Sequence, residues 1–378
     1  LMDWHARHRR LASGEGGATD RLLRGCLTPL AALYGVAVSL RSALLRRAGG
    51  GRHRWPIATA GVGALAAGGS GKTPFAAFLA LRLRNAGWRP LLVAHGYGAP
   101  RGCRTPRLLT DGRSPPREGW EQAGEESLLL HHLAPGIPIL VSPHRRWGAA
   151  VLATGQLEAD VAVFDGGFQD LRLHQDLRIA MVDASRRPGS RRLLPAGDLR
   201  EPYRALRRAD LLVLHRSERC SDRGEWTRWL DAVCPGQPRI WTRNRWDLPR
   251  RLQPAGAAPM EIAWEQLARG RWGVWTAIGR PGSFLDGLVE RGVVPHWQRL
   301  AADHAPFGAP EARELRKAVT RASLAGVLVT EKDAIKLAAD ADRLPPVYVV
   351  AARLELLEGE AELDRLCEGR LRTPLRSG

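Results

Sequence analysis

A glycine-rich segment between a strand-like run and a helical pattern restricts the fold of this chain more than any other feature. The segment reads Ala66-Ala67-Gly68-Gly69-Ser70-Gly71-Lys72-Thr73. Glycines let the backbone turn tightly enough for several N–H groups to point at one phosphate, and the N-terminus of the following helix adds its positive dipole end. Ala66 stands where the usual pattern has a glycine, so the match is incomplete. The sequence predicts a phosphate-binding loop over residues 66–73, with a plain glycine turn as the alternative.

Two side chains at the end of this loop carry the expected chemistry. Lys72 can neutralise charge on the outer phosphates of a nucleotide, and the Thr73 hydroxyl can bind Mg²⁺. Only 4 of the 57 basic residues are lysines, so a lysine at this position stands out. A second metal ligand is expected at the end of a neighbouring strand, and Asp165 follows the apolar run Val161–Phe164. We therefore predict that ATP and Mg²⁺ bind here, while a turn or capping role for Asp165 stays open.

Strand-like and helical patterns alternate along the chain. Short apolar runs such as Pro90–Ala94 and Leu177–Val182 are separated by helical segments such as Thr73–Asn85 and Ala149–Leu157. This alternation predicts an α/β fold of the P-loop NTPase kind, with a mostly parallel sheet and helices on both faces.

Composition changes indicate where the chain divides. Residues 218–270 are richer in Trp, Pro and Arg and have weaker periodicity, so we place a domain junction there. A second alternating pattern follows the junction. We predict a P-loop domain at 48–245 and a smaller α/β domain at 246–378. A charged amphipathic helix is expected over 355–372.

Residues 1–47 form a basic segment that contains one apolar run, Leu27–Leu40. Arg24 and Arg41 flank this run. Crossing a bilayer takes about 20 apolar residues, so the run is too short to span comfortably. An amphipathic helix in the membrane interface, with arginines reaching for lipid phosphates, fits better. An ordinary helix docked on the domain surface is the alternative.

The formal net charge of +18 predicts an anionic partner. Acidic lipid, a phosphorylated substrate and nucleic acid all satisfy this requirement. No nucleic-acid-binding motif accompanies the charge, so we predict no nucleic-acid partner. A GTPase is also excluded, because Thr330-Glu331-Lys332-Asp333 contains the residues of a guanine-reading loop in the wrong spacing. Nothing in the sequence indicates an obligate protein partner.

Six segments occur along the chain in a characteristic order. They read Gly-Gly-Ser-Gly-Lys-Thr-Pro (68–74), His-Gly-Tyr-Gly (95–98), Asp-Gly-Gly-Phe-Gln-Asp (165–170), Arg-Leu-Leu-Pro-Ala-Gly-Asp-Leu-Arg-Glu-Pro (192–202), Ala-Asp-His-Ala-Pro-Phe (302–307) and Thr-Glu-Lys-Asp-Ala-Ile-Lys (330–336). Together they resemble the tetraacyldisaccharide 4′-kinases, or lipid A 4′-kinases, from the N-terminal apolar run to about residue 337. The fourth and the sixth of these segments, 192–202 and 330–336, are the most distinctive. The chain resembles a divergent member of that family.

The resemblance implies a reaction and a location. It implies transfer of the γ-phosphate of ATP to the 4′-hydroxyl of a tetraacyldisaccharide 1-phosphate, a step of lipid A biosynthesis. It also implies a peripheral or monotopic enzyme on the cytoplasmic face of the bacterial inner membrane. A membrane-lying enzyme suits an acylated substrate, and a basic surface suits the phosphate of that substrate.

The resemblance also assigns roles to individual residues. Glu125 matches the proposed catalytic aspartate of the family, and Glu126 follows it as a further metal ligand. His304 matches the histidine thought to pair with the catalytic acid, and Arg200 is expected to contact phosphate. The alternatives are a charged first helical turn for the two glutamates, a surface position for His304, and an Arg200–Glu201 ion pair.

Several positions depart from the family pattern. Glu125 is one methylene longer than aspartate, which moves the carboxylate by about 1.5 Å and predicts a rate lower by about tens-fold. Gly166 and Asp170 replace an acidic residue and a histidine, and His95 replaces an arginine. These departures leave open a second reading, in which the chain is a catalytically weakened relative that binds nucleotide or lipid.

Overall fold

The computed structural model covers most of the chain. The described residues are 17–47, 52–97, 105–116, 118–155, 157–253 and 260–371. The basic residues 1–16, Gly98 of the second motif and the last residues of the chain lie outside this described part.

A nine-stranded sheet forms the centre of the molecule. Its strands are β1 (Ala58–Ala64), β2 (Pro90–Ala94), β3 (Arg107–Thr110), β4 (Ile139–Val141), β5 (Val161–Asp165), β6 (Leu177–Asp183), β7 (Leu211–His215), β8 (Arg239–Trp246) and β14 (Ala352–Glu358). Their order is β14-β8-β7-β6-β1-β5-β2-β4-β3. All neighbours from β8 to β4 run parallel, and only the edge strands β14 and β3 are antiparallel. The central strands are buried on both faces, as apolar parallel strands require.

Helices cover both faces of this sheet. They are α2 (Lys72–Asn85), α3 (Trp120–Ala123), α4 (Glu125–Leu133), α5 (Arg145–Gly148), α6 (Arg223–Val233) and α11 (Glu360–Arg370). On one face, α2 and α11 pack in the same core as β1 and β5. On the other, α6 packs with Phe168 and Trp241. The predicted α/β class is therefore confirmed.

A second, smaller sheet of five strands follows. Its elements are β9 (Arg250–Arg251), α7 (Trp264–Arg269), β10 (Trp272–Thr276), α8 (Pro281–Val289), β11 (Trp297–Leu300), α9 (Ala309–Arg321), β12 (Gly326–Thr330), α10 (Glu331–Leu337) and β13 (Val347–Val350). The strand order is β11-β10-β12-β13-β9, and only β9 is antiparallel.

The chain does not end in this second unit. Strand β14 pairs with β8, and Leu363 of α11 and Leu371, the residue after α11, are buried in the core of the first sheet. The expected helix over 355–372 is therefore wrong over 355–358, where the chain is a strand. Leu354 and Leu356, two residues apart, both pack against the core of the first sheet, as alternate residues of a strand do. A boundary at residue 246 therefore separates the two sheets only for the chain up to the end of β13, because β14 and α11 return to the first sheet.

Two other local expectations need correction. The helix expected over 149–157 is a 3₁₀ segment, Ala149–Thr154, that continues α5. The region 218–270, predicted as a junction, contributes α6 and β8 to the first sheet before the chain enters the second.

The N-terminal helix α1, Ala18–Arg47, is 30 residues long, or about 45 Å at 1.5 Å per residue. The apolar run was predicted to be too short to span a bilayer, but the stretch Ala18–Leu45 is long and apolar enough to do so by length and composition. The helix continues beyond both flanking arginines, so it is longer than the apolar run Leu27–Leu40 on which the expectation of an interfacial helix rests. Within the described ranges, α1 is the one helix that meets this criterion.

Candidate active site

The carboxyl-terminal edges of the two sheets face each other. The phosphate loop follows β1, and Asp165 ends β5 in the first sheet. From the second sheet, the segment after β10 lies against this loop, because a Cβ on Gly279 would be 3.5 Å from the Cα of Gly68. Ligands of open α/β sheets bind at this edge. The fold therefore places the predicted motifs of both units around one crevice.

The loop has a backbone shape that glycine makes possible. Gly68, Gly69 and Gly71 have φ values of +68°, +49° and +78°, in the left-handed region. A Cβ on Gly71 would also lie 2.6 Å from Cδ2 of the buried His215. A side chain would fill this space, so the cradle depends on glycine here.

The segment 192–202 is hydrogen-bonded to the backbone at the start of the phosphate loop. The Ala67 N–H donates to the carbonyl of Asp198 at 2.7 Å, and the Arg200 N–H donates to the carbonyl of Leu65 at 2.8 Å. These backbone hydrogen bonds explain why the distinctive motif at 192–202 accompanies the phosphate loop.

Lys72, Thr73 and Asp165 come together as predicted. The Thr73 hydroxyl donates to Oδ2 of Asp165 at 2.7 Å, and Lys72 Nζ donates to the Ser70 hydroxyl at 3.2 Å. Burial lowers the pKa of Lys72, while the carboxylates of Asp165 and Glu126 oppose this shift. The ammonium group thus lies near two carboxylates and beside the glycine cradle.

The same residues fit a magnesium ion. Mg²⁺ is held by few protein oxygens and takes its remaining ligands from phosphate and water. The Thr73 hydroxyl and the Asp165 carboxylate already touch. Burial raises the pKa of Glu126, and the charge of Asp165 raises it further, so these two carboxylates are close enough to repel. A divalent cation would relieve that repulsion. No cluster of three or more His, Cys, Asp or Glu side chains suited to a metal occurs in the described part of the chain.

Glu125 is buried and surrounded by positive or hydrogen-bonding groups. Its carboxylate contacts the His304 ring and the ammonium groups of Lys332, at 2.9 Å, and Lys336. Burial alone would raise the pKa of Glu125, but the His304 hydrogen bond and the two lysines lower it to about 2. All three partners come from the second unit. Glu125 and Glu126 do lie in the first turn of α4, as the alternative expects, but the Glu125 carboxylate also pairs with side chains of the second unit.

His304 lies at the mouth of the crevice. Its side chain is 28% exposed, and its backbone has φ +63°, which is uncommon outside glycine. The ring lies 4.6 Å from that of Tyr97, and Nε2 is 3.6 Å from Asp303. The alternative of an unengaged surface histidine does not hold.

Arg200 is exposed and its carbonyl accepts a hydrogen bond from Tyr34 of α1 at 3.0 Å. The expected alternative of an Arg200–Glu201 ion pair is wrong, because Glu201 pairs with Arg208 at 2.6 and 2.8 Å. Burial is the main cause that lowers the pKa of Lys72, and the positive charge of Arg200 lowers it further. Arg200 therefore lies near the phosphate loop with its charge available.

Sequence reasoning missed Arg145, which is buried beneath Asp165. Its guanidinium donates to the carbonyl of Asp165. A Cβ on Gly166 would lie 3.2 Å from Nη2 of Arg145, and Gly166 has φ +77°. The departure at Gly166 therefore faces a buried positive charge. The only signal in the sequence was the missing acidic residue at position 166.

A second group was also missed. Asp183 ends β6 and lies in contact with Arg191, Arg216 and Arg280. Arg216 in turn donates to the carbonyl of Gly69 at 2.7 Å. Because Arg216 and Arg280 are far from Asp183 in the sequence, no local sequence pattern grouped them with it.

A glycine cradle, a half-buried lysine and a threonine–aspartate pair at the carboxyl edge of a parallel sheet define a P-loop phosphotransferase. The family model for the tetraacyldisaccharide-1-P 4′-kinases matches residues 23–372. The chain therefore belongs to the tetraacyldisaccharide-1-phosphate 4′-kinase family, and the resemblance predicted from its motifs is confirmed.

Individual relatives agree with this assignment. The tetraacyldisaccharide 4′-kinase of Geobacter sulfurreducens is 37% identical over 364 residues, covering 95% of this chain and 98% of the relative. That of Halorhodospira halophila is 34% identical and covers 84% and 85%. The crystal structure of LpxK from Aquifex aeolicus in complex with ATP superposes with a TM-score of 0.68 at 26% identity, covering 92% of this chain and 99% of that one.

Proposed function

We propose that this protein transfers the γ-phosphate of ATP to the 4′-hydroxyl of a tetraacyldisaccharide 1-phosphate in lipid A biosynthesis. One observation carries the proposal: Lys332 bridges the two halves of the crevice. Its ammonium contacts Glu125 at 2.9 Å, and its charge acts on Lys72 of the phosphate loop. Nucleotide and acceptor groups therefore have binding residues on opposite sides of one small space.

The nucleotide side works by position and charge. The backbone N–H groups of residues 66–73 cradle the phosphates, and Lys72 and Arg200 neutralise charge that develops during transfer. Thr73, Asp165 and Glu126 would hold Mg²⁺, which supplies further positive charge to the phosphate oxygens when bound. These roles are supported by the mutual proximity of Lys72, Asp165 and Glu126.

The acceptor side works mainly by orientation. A carboxylate whose pKa is about 2 is a weak base at neutral pH, so we assign Glu125 to orienting the acceptor hydroxyl together with His304. Transfer through a loose transition state needs little basicity from the protein. Lys332 and Lys336 hold the Glu125 carboxylate in place, which offsets the longer side chain.

Helix α1 supports a location on a membrane surface. Its inner face, including Ala31 and Ser42, is buried against the protein. Its outer face exposes six large apolar side chains: Leu22, Leu30, Leu33, Val36, Leu40 and Leu44. Contacts from Thr28 and Ser39 to Arg192 and Arg204 keep the helix against the domain. We therefore infer that α1 lies in the interface of the inner membrane, at its cytoplasmic face, rather than crossing it.

A weakened relative is the second candidate, and Gly166 is the observation that favours it. The test is transfer of radiolabelled phosphate from ATP to a tetraacyldisaccharide 1-phosphate in detergent with Mg²⁺. We expect labelled lipid from the wild-type protein. Absence of label with intact ATP binding would contradict the kinase proposal. A gain of activity in Gly166→Asp, which would set a carboxylate beside Arg145, would then identify the cause.

A further inference from the structure

The second unit touches the phosphate loop through the short segment Gly279-Arg280, which follows β10. The Cγ and Cδ atoms of Arg280 lie 3.0 and 3.1 Å from the position that a Cβ on Gly69 would take. A side chain at Gly69 would press on this stem and displace it by a few tenths of an ångström. The stem of Arg280 therefore packs directly on the loop that cradles phosphate.

The guanidinium of Arg280 belongs to a group of three that share two carboxylates. Arg191 contacts Asp183 at 2.7 Å and Asp198 at 2.7 Å. Arg216 lies 3.3 Å from Asp183, and Arg280 contacts the same oxygen. Within this group three positive charges face two negative charges. One positive charge is thus in excess directly beside the phosphate loop.

Arg280 has hydrogen-bonding capacity to spare. Its Nη2 atom is buried, forms no hydrogen bond among the described residues, and approaches Asp198 Oδ2 only at 3.5 Å. Burial lowers the pKa of Arg280 to about 10, so the group is still charged at neutral pH. A buried, charged donor without an acceptor is costly unless a ligand supplies the acceptor.

We propose that Arg280 is a phosphate-binding residue that the second unit supplies to the nucleotide site. Nη2 donates to a phosphate oxygen of the bound nucleotide, while Nη1 stays on Asp183. Arg216 holds the loop from the other side through the Gly69 carbonyl, at 2.7 Å. Because Arg280 comes from the second unit, nucleotide binding strengthens the contact between the two units. This inference rests on the proposed function for the identity of the nucleotide, ATP.

The test is equilibrium binding of ATP, ADP and adenosine by calorimetry, with Mg²⁺ and without lipid. For Arg280→Gln we expect ATP and ADP to bind about 10- to 100-fold more weakly, the equivalent of one lost charged hydrogen bond. Adenosine binding stays unchanged. This difference between nucleotide and nucleoside is one that a merely structural role would not produce.

Arg219→Gln is the matched control. Arg219 also joins the two units, through Asp286 at 3.1 Å and Glu290 at 2.9 Å, and these ion pairs lie away from the phosphate loop. We expect its ATP affinity to equal that of the wild type. Equal losses in the two variants would assign the effect to the interface and overturn the proposal.

Other outcomes are equally decisive. Unchanged ATP affinity in Arg280→Gln, or an equal loss for adenosine, overturns the proposal. If that variant does not fold, Arg280→Lys decides instead, since it keeps the charge and the stem but loses the fork of donors, and a smaller loss of ATP affinity is expected. Failure of the wild-type protein to bind ATP would contradict the proposed function itself, whereas normal binding by both proteins contradicts only the role of Arg280.

Discussion

Buried charged side chains at the candidate site form ion pairs with residues of the other unit. Glu125 is 4% exposed and Lys336 is fully buried, so burial removes both charges from bulk solvent. Removing one member of a buried pair leaves the other uncompensated, which costs far more than the pair contributes. The carboxylate of Glu125 is therefore structural as well as functional.

We predict that Glu125→Gln lowers the free energy of unfolding by about 3–5 kcal/mol, because it leaves Lys332 and Lys336 facing a neutral group. Urea unfolding measures this loss. The control is the double variant with Lys336→Met, which removes the buried charge as well. We expect a coupling energy of at least about 1 kcal/mol between the two positions. Strictly additive losses would contradict the pairing.

Lys72 is the residue whose loss is expected to affect turnover most. Lys72→Ala removes the ammonium group that belongs to the glycine loop itself and donates to Ser70, and we predict that kcat falls about 10³-fold or more. Thermal stability should hardly change, because burial already disfavours the charged lysine. Lys317→Ala, at an exposed lysine on α9, is the matched control. Normal turnover in Lys72→Ala would refute the assigned role.

Elements with a strong local pattern were predictable from the sequence, and elements at the sheet edges were not. Pro90–Ala94 has the predicted bounds, and the helix expected over Thr73–Asn85 begins one residue earlier, at Lys72, because a buried parallel strand and a helix that follows a glycine loop each carry a clear local signal. Strands β3 and β14 were missed. Their charged or partly exposed residues are typical of edge strands, and only pairing with a distant neighbour makes them strands.

The residues of the candidate site also fall into those that the sequence predicted and those that it did not. Glycine-loop residues and Asp165 lie next to their elements in sequence, so a motif predicted their grouping. Arg145 and Arg280 reach the site from other elements, and their role depends on which buried groups they meet. Contacts of this kind arise from tertiary packing, and a single sequence contains no local pattern that encodes them.

At the scale of one element, we predict that helix α1 is the part of the protein that contacts the membrane. Leu33 and Leu40 are 67% and 58% exposed on its outer face. Replacing either by Glu should weaken binding to phospholipid vesicles at least about tenfold, because one apolar side chain is lost from the lipid interface and a charge is added. Co-sedimentation with vesicles measures this. The control is Val294→Glu, at a residue that is 63% exposed in the second unit. Equal losses would contradict α1 as the membrane contact.

At the scale of the whole molecule, strand β14 and helix α11 return to the nucleotide-binding unit and pack on it. After the second sheet is complete, α11 packs beside α2, the helix that begins at Lys72. Arg82 of α2 binds Asp364 through two hydrogen bonds of 2.6 Å. The smaller unit is thus an insertion between β8 and β14 of the first sheet. Two chain segments connect the smaller unit to the first sheet, one after β8 and one before β14. If this unit moves as a rigid body, the chain bends at those two segments.

This topology predicts where a C-terminal mutation acts. Leu363 is fully buried against the first core, so Leu363→Ala should lower the free energy of unfolding by about 2–5 kcal/mol. Glu368→Ala, on the exposed side of α11, should change it by less than about 0.5 kcal/mol. Because a ligand stabilises the unit that binds it, the transition lowered by Leu363→Ala should be the one that ATP raises. Urea unfolding with and without ATP tests this. If ATP shifts one transition and the mutation another, α11 belongs energetically to the second unit.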